Sequence, residues 1–158
     1  METICFELMK GLPVALATIA IAIAGGAISW SQYRVAKTTL NLNLFERRYR
    51  VFEMVWRFVS GIIAQGAPRP FDGESAEITN LLPQIEFLFG RDISLYVREL
   101  LNKATELWTI DQATQVSVDA MPPEHVERYK ALRETFSYEA SEGIKSRFGA
   151  YLSFDNWR

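Results

Sequence analysis

The side chains that could do chemistry are few and widely spaced. His125 is the only histidine, so no histidine pair can hold zinc and no Ser-His-Asp reading has independent support. Cys5 is the only cysteine and cannot close an internal disulfide, which suits a reducing compartment for the rest of the chain. Glu86, Asp92, Glu99 and Glu106 lack the repeated E-x-x-H spacing of a helical di-metal site. A phosphate-cradling G-x-x-x-x-G-K-[ST] and a dinucleotide G-x-G-x-x-G are both missing. These residues point away from an enzyme, and no catalytic residue, metal, cofactor or small-molecule substrate is expected.

The elements that would position any site begin with Gly11 to Tyr33, a stretch with no charged side chain between Lys10 and Arg34. At about 1.5 Å per residue a helix of this length spans about 34 Å, enough for a hydrocarbon core of about 30 Å. The stretch is therefore read as a transmembrane helix after a short external tail, residues 1–10. A cleaved signal peptide would want a positive leading region, and here Glu2 and Glu7 come first. Trp30 and Tyr33 fit the interfacial belt, and Arg34 and Lys37 follow at headgroup level. Ala22, Gly25, Gly26 and Ser29 form small-residue pairs four apart, a face on which a second helix could approach closely.

Charge orients the span. Residues 34–57 carry six basic and two acidic side chains, a surplus of +4, whereas residues 58–158 carry ten basic and fifteen acidic, for −5. Basic residues flanking a span stay on the cytoplasmic side, so the N-terminus is expected outside and residues 34–158 in the cytoplasm of a bacterial inner membrane. Arg34 and Lys37 lie near enough to gain from anionic lipid. The acidic remainder argues against nucleic acid as a partner.

The cytoplasmic part reads as a bundle of about four helices, which makes the fold all-α. Val35, Thr38, Leu42, Phe45, Tyr49, Phe52, Trp56, Val59 and Ile63 recur at spacings of three and four, a stripe that could continue the span. Opposite it, Glu46 with Arg50 and Glu53 with Arg57 form surface pairs. Breakers in Ala64 to Ser75 predict a loop, with Asp72 or Ser75 capping a second helix to Phe89 that Pro83 could kink. Gly90 reads as a left-handed cap and Asp92 as the cap of a third helix. That helix faces the core with Ile93, Tyr96, Val97, Leu100, Leu101, Ala104, Leu107 and Trp108. After the QVSVDAMPP connector, Pro122 or Pro123 opens a fourth helix carrying Val126, Tyr129, Leu132, Arg133 and Phe136, with Glu124 set to pair with Arg128. The aromatic ending, Phe148, Tyr151, Leu152, Phe154 and Trp157, is expected to pack back on the bundle.

Leu42, Leu44, Phe45, Arg48, Val51 and Phe52 occupy a motif L-x-L-F-x-x-R-x-x-V-(Y/F). With the FLFGRDI segment and the F-x-x-Y-L-x-F ending, the chain resembles a widespread set of small bacterial single-span membrane proteins with a cytoplasmic helical domain. The resemblance implies that architecture and carries no activity, substrate or catalytic residue. Arg48 is the polar position it singles out, expected to pair with a carboxylate such as Glu86 or Glu99. The functional expectation is a membrane-anchored platform that binds itself or a protein partner, with the lipid bilayer as its other partner. The alternative is a regulatory or effector subunit of a membrane-acting toxin or defence system.

Overall fold

The computed structural model describes the backbone of residues 2–116 and 121–153, and the side chains of residues 16–115 and 121–153. All regular structure there is helical, in the order α1 Glu2–Gln65, α2 Gly73–Phe89, α3 Arg91–Val116, α4 Pro123–Tyr138 and α5 Ile144–Leu152. A π-helical turn, Glu139–Gly143, joins α4 to α5 without a break, so the run from Pro123 to Leu152 is one helix with a bulge.

The chain divides into two units, Met1–Leu44 and Phe45–Arg158. In the first unit, the apolar side chains of helix α1 from Leu16 to Leu42 are uncovered, among them Ile19, Ile21, Ile23, Ile28 and Leu40. Among the described residues α1 is the one helix long and apolar enough to cross a membrane, a criterion that a signal sequence also meets.

The second unit is built on the C-terminal part of α1. Its buried line is Val51, Val55, Phe58, Val59 and Ile62, at four, three, one and three residue steps. This corrects the expected stripe. Tyr49 and Trp56 are exposed and Phe45 and Phe52 half-buried, while Val35 and Leu42 belong to the first unit. Val51, Val55, Val59 and Ile62 are β-branched and suit close helix contact, and of the rings on this stretch Phe58 alone joins them while Phe45, Tyr49, Phe52 and Trp56 lie along the edge of that line.

Asp72 caps α2 through a bond from the Gly73 N–H to its carboxylate, 2.8 Å. Pro83 lies inside α2 without ending it. Gly90 has φ 89° and ψ 172°, so the residue is glycine for its positive φ, but the cap is extended rather than left-handed helical. Because a single residue separates the helices, α3 begins at Arg91 and Asp92 falls inside its first turn instead of capping it. The predicted core face of α3 is buried except for Trp108, which is half-buried, and Ile110 extends it. Phe136, Ile144 and Phe148 close the core from α4 and α5 with no exposed surface. Phe154 and Trp157, expected to pack back with them, lie outside the described residues.

Candidate functional site

The polar construction of the second unit rests on arginines that cap helices other than their own. The last turns of α1, α2 and α5 contain no basic residue, which leaves the negative end of each dipole without a local cation. Arg48, on α1, donates from Nε to the Leu88 carbonyl at 3.1 Å and from Nη1 to the Tyr151 carbonyl at 3.3 Å. Those carbonyls lie in the final turns of α2 and α5. One guanidinium fork therefore clasps two helix ends from a third helix. Its carbon lies 5.9 Å from the centroids of both Phe89 and Tyr151.

The rings continue inward from that clasp. Phe89 meets Tyr151 at 5.5 Å and Phe148 at 4.9 Å, both edge-on, and Phe148 meets Phe52 at 5.9 Å. The motif residues Phe45, Tyr49 and Phe52 stack in succession along α1. For Arg48, sequence reasoning found the position and expected a carboxylate partner such as Glu86 or Glu99; main-chain carbonyls receive two of its bonds. Of the two carboxylates considered, Glu99 is bound by Lys103 at 2.8 Å, which holds its carboxyl below the usual range, and Glu86 is exposed.

Arg133 repeats the device. Its two terminal nitrogens donate to the Ile62 and Ile63 carbonyls at 2.9 and 3.1 Å, in the last turn of α1. Nearby Asp111 has its carboxyl pushed up by burial, and the charge of Arg133 opposes that shift. An arginine among the apolar positions of helix four was the available signal, since a cation on a buried face needs acceptors there.

A third polar cluster surrounds the π turn. The Tyr96 hydroxyl donates to the Glu139 carboxylate, and the Arg147 guanidinium lies 4.7 Å from the Tyr96 ring centroid. Burial foremost, then the bond to Glu139, pushes the phenol far above its ordinary value. Gly143 makes the arrangement possible: a Cβ there would stand 1.8 Å from Oε2 of Glu139. The Trp56 indole donates to the Ala140 carbonyl within the same turn, 3.1 Å away. Nothing in the sequence marked the bulge, since its five residues EASEG continue an ordinary helical composition.

Comparisons with protein-family models, with curated proteins and with solved structures found no match.

The remaining predicted positions belong to the first unit. Trp30, Tyr33, Arg34 and Lys37 are exposed on α1, as are Ala22, Gly25, Gly26 and Ser29, and a Cβ at either glycine would meet nothing within 4 Å. Among the surface pairs, Glu53 and Arg57 join at 3.1 Å. Arg128 turns from the expected Glu124 to Glu106 on α3, with two bonds of 2.6 and 2.7 Å, because the planar fork matches that carboxylate across the helices. His125 sits in the first turn of α4, half-buried. Among the described residues no group of three or more His, Cys, Asp or Glu side chains is placed to hold a metal ion.

Proposed function

We propose that the protein is anchored in a bacterial inner membrane by one span, residues 11–33, and presents its second unit in the cytoplasm as a non-enzymatic platform for self-association or for a protein partner. The observation that carries this reading is the uncovered apolar surface of α1. Leu16, Ile21, Ile23 and Trp30 are 60, 73, 68 and 69 % exposed in one helix, an arrangement that water penalises and lipid accepts. The run of exposure is too extended for scattered surface residues. The basic surplus of residues 34–57 supports the orientation with the N-terminus outside. Likeness of the Leu42-to-Phe52 motif to small single-span bacterial proteins supports the same architecture.

The polar clusters of the second unit favour a binding role over a catalytic one. Arg48, Arg133, Tyr96 and Glu139 are each committed to partners within the fold. Ala22, Gly25, Gly26 and Ser29 supply the face on which two copies would meet in the bilayer.

Two measurements test the proposal. Cys5 is expected to react with a membrane-impermeant thiol reagent in intact cells, and its protection would reverse the orientation. Crosslinking in native membranes is expected to trap a dimer or a discrete partner complex; a species that stays monomeric and joined to nothing would remove the platform reading.

A further inference from the structure

We propose that a cleft between α2 and α3 binds a small monocarboxylate with an apolar body, a site independent of the membrane anchor. The cleft holds about 280 Å³ and is bounded by α2, by α3 and by the loop before α2. From α2 come Ser75, Thr79 and Leu82, at four and three residue steps; from α3 come Arg98, Leu101, Asn102 and Thr105, which share one helical face. Pro70 and Phe71 form the third wall.

The donors in this cleft are uncommitted, unlike those of the arginine clasps. Arg98 forms no ion pair or hydrogen bond among the described residues. Ser75 is 7 % exposed, and its hydroxyl likewise has no hydrogen-bond partner among the described residues, so that it opens on the cleft. Among the described residues no buried side-chain nitrogen or oxygen is left unpartnered, so the Ser75 oxygen is reached by solvent from the cleft, and a ligand oxygen would replace that water. Thr79 and Thr105 spend their protons on the carbonyls of Ser75 and Leu101, which keeps both hydroxyls as acceptors.

Charge and size narrow the ligand. A single guanidinium fork matches one carboxylate in two parallel bonds and leaves a dianion half-compensated. Pro70, Phe71, Leu82 and Leu101 give the body of the ligand an apolar bed. The volume lies at the lower end of ligand pockets, about 300 Å³, which suits a single ring or a short acyl chain.

The test titrates the full chain, held in lipid nanodiscs, with benzoate while following its amide resonances. Saturable shifts confined to residues around Ser75, Thr79, Leu101 and Thr105 are expected. Benzyl alcohol, which keeps the ring without the charge, and inorganic phosphate, which keeps charge without the ring, are expected to bind at least about tenfold more weakly. R98Q removes an exposed side chain and should keep its helical spectrum while losing about tenfold in benzoate affinity; S75A should lose about threefold. No saturation by benzoate, equal binding of benzyl alcohol, or unchanged affinity in both variants would overturn the proposal.

Discussion

Helix α1 is covered in two different ways along its length. From Leu16 to Leu42 its large apolar side chains are uncovered, and Thr38 and Thr39 donate to carbonyls four residues back in the same helix. From Phe45 to Gln65 it buries Val51, Val55, Phe58, Val59 and Ile62 to 3 % exposure or less. There it is also tied to residues far along the chain through Arg48, Trp56 and the carbonyls that receive Arg133. The difference lies in the type of patterning. Up to Tyr33 the run is uncharged and apolar all round, a pattern long enough to cross a membrane, whereas a one-sided apolar stripe with charges opposite packs on other helices.

Phe136→Ala gives the sharpest contrast. It removes a fully buried ring from the second unit and should cost about 3–5 kcal/mol in denaturant unfolding of that unit. Ile21→Ala, on the uncovered stretch, should leave the same transition where it was. Equal effects would erase the distinction between the two regions.

Arg48→Ala comes next. It leaves the Leu88 and Tyr151 carbonyls without their cation and should destabilise the second unit by about 2–3 kcal/mol by the same measurement. Arg48→Lys keeps the charge but cannot span two helix ends, so it should recover only part of that loss.

Gly143→Ala should be smaller still, about 1 kcal/mol, because the methyl group displaces a flexible carboxylate and gains helix propensity in return. Its signature is spectroscopic. With Glu139 displaced, the Tyr96 phenol should titrate at lower pH than in the parent chain while staying above 10.0, since burial is the larger cause of its shift.

The pH dependence of the second unit should be weakest near neutrality. Tyr96 has a folded value raised above its ordinary 10.0, so its contribution is complete below that pH and is lost as pH rises beyond it. Glu99 and Glu106 have folded values depressed below 4.5 by Lys103 and Arg128. Their contributions are present above that pH and fade as it falls. Both carboxylates are largely exposed, so the acid limb should be shallow in pH-dependent melting.

Much of this architecture was legible in the sequence. The uncharged run, the breakers after Ala64, the cap at Asp72 and the apolar face of α3 each rest on local rules, and the helices formed where those rules placed them. The rotation of α1 was not legible, because the line at 45, 49, 52 and 56 and the line at 51, 55, 58, 59 and 62, which has a ring of its own at Phe58, share its periodicity; which line faces inward depends on how closely the other helices approach. Arg48 was visible as a position but not in its role. Two of its partners are carbonyls, which every residue carries, so no residue type announces them. The same holds for Arg133. At the π turn the missing Cβ of Gly143 leaves room for the Glu139 carboxylate, which accepts from a tyrosine over forty residues earlier, a pairing that only the folded chain brings together.

Alkaline carbonate extraction of native membranes containing the full chain tests most directly the claim that lipid covers the first unit as α2 to α5 cover the second. Retention in the membrane pellet, with release only by detergent, is the expected result; release of the intact chain into the carbonate supernatant would contradict it.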